Sequence, residues 1–198
     1  MTYRHVYEGG TWKNYTLIYD SENRLATVSG PVTANFKYDG DTGFAGASSK
    51  RVRATINGGL DTVFISIYFE WNVATQTKRT YYYAGASRIA MREGSNDPQW
   101  ILGDHLGSTS KMVSYAGVDT GGQSYKAWGE TRLQTGTIPT KYQYTGQYNQ
   151  VIIGLYYYGA RWYDAVLSRW TQPDSIIPAA ATEIHDALLS SRRGIAID

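Results

Sequence analysis

An all-β fold, built from antiparallel hairpins laid side by side into one curled sheet, is what this 198-residue sequence predicts. Three observations carry that expectation. Tyrosine, at 18 residues, far outnumbers phenylalanine at 4, and aromatic rings suit a pleated, half-buried surface. Apolar and polar residues alternate over short runs, and Gly, Asp and Asn punctuate those runs where the chain must reverse. No apolar period with helix caps occurs before about residue 180.

The elements follow in order. Residues 15–30, YTLIYDSENRLATVSG, give a strand to Tyr19, a polar turn at Asp20-Ser21-Glu22-Asn23 and a second strand from Arg24 to Val28. Residues 34–43, ANFKYDGDTG, repeat the device, with a strand ending at Tyr38-Asp39 and a turn at Gly40 and Asp41. The two Tyr-Asp pairs are 19 residues apart (20 to 39), a spacing of one hairpin per repeat unit. Gly58-Gly59 separate RVRATING from DTVFISIYFEWN, and the apolar run Val63 to Phe69 reads as one buried strand. QTKRTYYYAGASRIAMREG, WILGDHLGSTSKMVSYA and GGQSYKAWGETRLQ alternate in the same way, with glycine at their bends.

A β domain over residues 1–178 is therefore expected, followed by a divergent tail over 179–198. In the tail, Thr182 is a fitting N-cap and Gly194 a fitting stop, so it reads as a short amphipathic helix or as a disordered end.

Composition excludes several functions. A net charge of +2 supplies no clustered basic face, so nucleic acid is not an expected partner. The absence of cysteine removes disulfides, thiolate metal sites and cysteine nucleophiles. His5, His105 and His185 are dispersed, and neither a metal nor a cofactor is expected. The N-terminus lacks the apolar core of a signal peptide, and no run is long enough to span a bilayer.

The motifs also occur in a recognisable series. YDSENRLATVSG (19–30), YDGDTG (38–43), YYYAGASRIAMR (81–92), LGDHLGSTS (102–110), AWGETR (127–132), YQYTGQ (142–147), GLYYYGARWYD (154–164) and RWTQPDSIIP (169–178) appear in that order. The series resembles the Rhs/YD-repeat family and, within it, the C-terminal Rhs repeat-associated core, over nearly the whole chain to about residue 178. Relatives of that kind include toxin-complex C subunits, wall-associated bacterial proteins and teneurins. The resemblance implies YD-repeat hairpins curled into part of a hollow β-shell, a C-terminal passenger or toxin held by the shell, and a secreted or cell-surface location. A chain of this length is too short to close a shell alone. Its open edges would pair with the rest of a larger Rhs/YD-repeat shell or with another copy.

In toxin-complex members the core is a self-cleaving aspartyl protease. On the family motif, Arg161 and Asp174 take the positions of the orienting arginine and the acid, and Asp164 is the nearest second carboxylate. The chemistry needs two neighbouring carboxylates, one charged and one protonated. The segment 148–153, YNQVII, holds no acid, and the family's downstream Asp-Pro-x-Gly cleavage motif is missing. Ala165 stands where the family has proline, and Ser168 where it has glycine. The expectation is therefore a retained fold with self-cleavage absent or impaired, the four residues Arg161, Asp164, Arg169 and Asp174 serving as buried ion pairs.

Two further readings stay open at this stage. One is a self-cleaving protease core that releases a C-terminal toxin. The other is a cell-surface carbohydrate-binding module using outward-facing members of Tyr81–Tyr83 and Tyr156–Tyr158. Asp104-His105 beside Ser108 and Ser110 reads as a turn rather than a catalytic triad, because no oxyanion-hole signature accompanies it.

Overall fold

The computed structural model describes residues 1–39 and 50–173. Thirteen strands run in chain order: β1 (Tyr3–Glu8), β2 (Thr11–Tyr19), β3 (Leu25–Ser29), β4 (Ala34–Tyr38), β5 (Arg51–Ile56), β6 (Leu60–Ile65), β7 (Phe69–Asn72), β8 (Thr77–Ala84), β9 (Ser87–Glu93), β10 (Gln99–Gly103), β11 (Thr109–Val113), β12 (Asp119–Tyr125) and β13 (Thr131–Gly136). Each pairs antiparallel with its sequence neighbours, making one open sheet. A second, four-stranded sheet follows: β14 (Tyr148–Gln150), β15 (Leu155–Tyr157), β16 (Trp162–Asp164) and β17 (Arg169–Trp170). Among the described residues, a single 3-10 turn at Tyr144–Gly146 is the only helical element.

The expected hairpins form because their turns share one chemistry. Asp20 N–H donates to the Arg24 carbonyl (2.9 Å), and Asn23 N–H donates back to the Asp20 carbonyl (3.0 Å). The Asp20 carboxylate accepts the N–H groups of Glu22 (3.0 Å) and Arg24 (2.8 Å). Asn23 supplies the left-handed residue at φ 59°. Asp104 repeats this bond for bond, accepting from Leu106 (2.9 Å) and Ser108 (2.8 Å), with Gly107 left-handed at φ 78°. Beside each turn the ladder slips, between Ile18 and Tyr19 and between Leu102 and Gly103. Such bulges bend a strand and increase its twist.

That bending is visible in what the small sheet touches. Thirteen strands spaced by about 4.8 Å would span roughly 58 Å if flat, against about 14 Å for four. Yet β16 bonds to β1 through Asp164 and Arg4, while Tyr156 and Tyr163 bond to the carbonyls of Gly129 and Trp128 at the β12–β13 turn. Gly129 also permits the close approach of the Tyr144 ring, in the turn leading into the small sheet: it is left-handed at φ 94°, and a Cβ there would lie 2.5 Å from that ring. The large sheet is thus curled around the small one, as a partial shell.

The main core lies between the two sheets. Val6, Tyr15, Leu17, Leu25, Val28 and Phe36 of the large sheet pack with Tyr148, Ile153, Leu155 and Trp162 of the small one. A second cluster, Tyr81, Met91, Ile101 and Met112, continues it under β8–β11. Burial raises the pKa of the core tyrosines, pushing Tyr142 up to about 12 and Tyr38, Tyr81 and Tyr148 well up, with Glu70 adding to the last two and to Tyr142. Their folded pKa values exceed the unfolded value near 10, so this contribution to stability is complete below pH ~10 and is lost as pH rises through the folded values. Stability is therefore expected to fall from about pH 10 upward. Tyrosinate absorbance from these buried tyrosines should appear together with loss of circular dichroism rather than before it.

One reading is corrected. Val63 to Phe69 is not a single buried strand: β6 ends at Ile65, Ser66 turns at φ 58°, and β7 starts at Phe69. Ile65, Ile67 and Tyr68 are exposed. This turn is apolar because it lies against the next hairpin, where Tyr83 donates to the Ile67 carbonyl (3.2 Å) and stands edge-on to Tyr68. The turn at Gly40-Asp41, Asp174, the boundary at 178 and the tail fall outside the described residues.

Candidate functional site

Three inward-facing arginines on the large sheet meet the small sheet and the segment leading into it. Arg4 on β1 is 1% exposed, and its Nε donates to Asp164 Oδ2 at 2.6 Å. Its Nη2 donates to Glu8 Oε1 at 2.8 Å, and its guanidinium lies 5.2 Å from the Tyr15 ring centre. Burial opposes the charge on Arg4, but Asp164 and Glu8 more than offset it and leave the pKa raised. Arg51 on β5 sits in a cage of rings, with Phe64 at 4.1 Å, Tyr148 at 4.5 Å and Tyr157 at 4.6 Å. Arg88 on β9 lies 3.4 Å from the centre of the Tyr142 ring and donates to the Gly146 carbonyl at 3.2 Å. Such contacts are worth most when the cation is out of water.

Two clefts of about 400 and 700 Å³ open along the same rim of the large sheet, and both are walled by Ile67, Tyr142 and Gln147. Arg51 lines the smaller cleft and Arg88 the larger.

No sequence motif singles out these arginines. The available signal was phase: Arg4 shares its face with Val6, and Arg88 with Ala90. A charged residue on the apolar phase of a strand marks an inward cation that needs a partner from elsewhere in the chain.

Asp164 is fully buried, and its Oδ1 accepts the N–H groups of Val166 (3.0 Å) and Leu167 (3.1 Å) in addition to the Arg4 contact. It caps the β16–β17 turn and ties the small sheet to β1. Arg161 is half-buried with its guanidinium 4.4 Å from the Trp170 ring centre. Trp170 pairs with Tyr163, which alternates with Asp164 along β16, so Arg161 and Asp164 lie on opposite faces. Asp164 is brought together with Arg4 and not with Arg161. Asp174 lies outside the described residues, beyond Thr171 and Gln172, where the Thr171 carbonyl accepts from the Tyr19 hydroxyl (3.0 Å).

Ser168, in the position expected to carry glycine, keeps the left-handed conformation at φ 54°. Ser168→Gly should therefore stabilise the protein by about 1 kcal/mol, read as a higher urea midpoint. The Asp104 turn also has the expected role: Ser108 is buried, and its hydroxyl accepts from Thr145 N–H (3.0 Å), while His105 is exposed. Of the tyrosine triplets offered for sugar stacking, Tyr81 and Tyr156 are buried.

Known proteins resemble this arrangement. No family model matches the chain. The tRNA3(Ser)-specific nuclease WapA of Bacillus spizizenii is 21% identical over 162 residues, covering 76% of this chain and 7% of WapA. Among solved structures, TcdB2–TccC3 without its hypervariable C-terminal region superposes with a TM-score of 0.65 at 16% identity. That match covers 81% of this chain and 9% of the other. A Photorhabdus luminescens Tc holotoxin pore with a substituted TccC3 gives a TM-score of 0.65 at 16% identity, over 83% of this chain and 9% of that one.

By fold, the chain is similar to part of the TcdB2–TccC3 and Tc holotoxin structures. It spans less than a tenth of the length of each of these proteins. Among the described residues, no helix is long and apolar enough to cross a membrane, and no group of three or more His, Asp or Glu side chains is placed to hold a metal ion.

Proposed function

We propose that this chain is a wall segment of an Rhs-type β-shell that encloses or displays a C-terminal passenger or toxin at a secreted or cell-surface location. The observation that carries this reading is the open, curled sheet clasping a small inner sheet, with β1 and β13 each paired on one side. An unpaired strand edge is a template for another strand. The crystallised TcdB2–TccC3 neighbour, named for lacking a hypervariable C-terminal region, supports a variable passenger after the core.

In the intact protein from its source cells, hydrogen exchange at the outer-edge amides of β1 and β13 should be as slow as in β5. Exchange as fast as in the hairpin turns would rule the shell out.

Self-cleavage is absent in this reading. Support comes from Asp164, whose carboxylate is committed to Arg4 and two turn N–H groups, and from the acid-free stretch 148–153. One uncut species is expected in the intact mass spectrum. A cut near the C-terminus that disappears in Asp174→Asn would establish the protease instead.

A further inference from the structure

Arg4, Arg24, Arg53 and Arg79 each meet a carboxylate. Arg51 is enclosed instead by five rings. Arg88 has neither arrangement. Among the described residues it pairs with no acid, and its Nε is buried without a hydrogen-bond partner. It lines the open cleft of about 700 Å³, whose lip is apolar: Ile67, Leu102 and Leu106 are 43%, 49% and 51% exposed. Asp104 also lines this cleft, but its Oδ1 is committed to two turn N–H groups. An unneutralised cation beside an apolar lip suits an occupant that carries acidic and apolar side chains together.

The chain itself carries such a segment. Residues 183–189, EIHDALL, hold Glu183 and Asp186 among Ile184, Leu188 and Leu189. They lie outside the described residues, after a chain exit that is well placed. Gln172 Nε2 donates to the Asn23 carbonyl at 3.4 Å, and the Tyr19 hydroxyl donates to the Thr171 carbonyl. The exit is thereby tied to the β2–β3 turn. Because every pairing is antiparallel, that turn lies at the same strand ends as the β6–β7, β8–β9 and β10–β11 turns that line the cleft. The distance is seven strand spacings, roughly 34 Å on a flat sheet and less on a curled one. The chain from Gln172 to Glu183 reaches up to about 36 Å.

We propose that residues 183–189 of this chain dock in the Arg88 cleft. Glu183 and Asp186 turn toward Arg88, and Ile184, Leu188 and Leu189 cover the lip formed by Ile67, Leu102 and Leu106. The contact is made within one chain and needs no larger assembly, so it stands or falls separately from the shell reading.

The test uses the intact chain, which contains no cysteine, so introduced pairs report alone. Leu106→Cys with Leu188→Cys probes the docked arrangement. Val118→Cys with Leu188→Cys is the control, because Val118 is 62% exposed in the β11–β12 turn at the opposite strand ends. Under mild oxidation at low protein concentration, the first pair should close within one chain at least roughly tenfold faster than the second. Glu183→Lys with Asp186→Lys, which leaves the sheet unaltered, should remove most of that advantage, and added salt should reduce it. Leu102→Cys replaces Leu106→Cys if the latter fails to fold. Equal closing rates for the two pairs, or an advantage untouched by the charge reversal, would overturn the proposal. So would disulfides that form between chains at a rate rising with concentration, because the segment would then be seated on a second copy.

Discussion

Asp164→Ala should cost about 3 kcal/mol in a urea titration, a large share of the stability of a domain this size. The mutation leaves the Arg4 charge inside the core and removes the acceptor for two turn amides. Glu8, at 2.8 Å and partly solvated, retains some of the compensation, which keeps the expected loss at the lower end for a broken buried pair. The double variant Arg4→Met with Asp164→Leu should recover most of the loss. Arg4 Nη1 is buried without a hydrogen-bond partner, so the native pair already bears an unrecovered desolvation cost. If the single and double variants were equally unstable, the turn cap rather than the ion pair would be the dominant role of Asp164.

Trp162→Ala should be costlier still, about 3–5 kcal/mol. The side chain is fully buried between the sheets, 4.6 Å from Phe36 and 5.1 Å from Tyr157, and it forms one wall around Arg51 at 5.3 Å. Its Nε1–H donates to the Tyr38 hydroxyl at 3.2 Å. Trp162→Phe keeps most of the ring volume and loses that bond, so about 1–2 kcal/mol is expected. A lower melting temperature is the primary readout. The second is faster proteolysis of residues 137–143, the segment joining the two sheets, because weaker docking frees the small sheet first.

Much of the large sheet was legible because its information is local. Turn residues such as Asp20-Asn23 and Asp104-Gly107 specify their reversals from within five residues, and alternation then sets the faces of the strands they join. The failure at Val63–Phe69 has the same cause in reverse: its apolar side chains answer to Tyr83 on a neighbouring hairpin, which no local pattern records. The site was less legible. Family resemblance directed attention to Arg161 and Asp164, but their faces depend on a strand pairing with Trp170, and the partner of Asp164 is 160 residues away. For Arg51 and Arg88, strand phase can mark an inward cation, but the Tyr148 and Tyr142 rings that receive it lie more than fifty residues away in the chain.

The clasp between Arg4 and Asp164 also bears on how the protein is made. The thirteen-stranded meander pairs only sequence neighbours, so each hairpin can form as soon as its second strand leaves the ribosome. The inner face of that meander then waits, with Arg4 held only by Glu8 and with Arg51 and Arg88 lacking the Tyr148 and Tyr142 rings, until residues 142–172 are synthesised. A ribosome stalled before that segment would leave a sheet whose inner face is still uncovered.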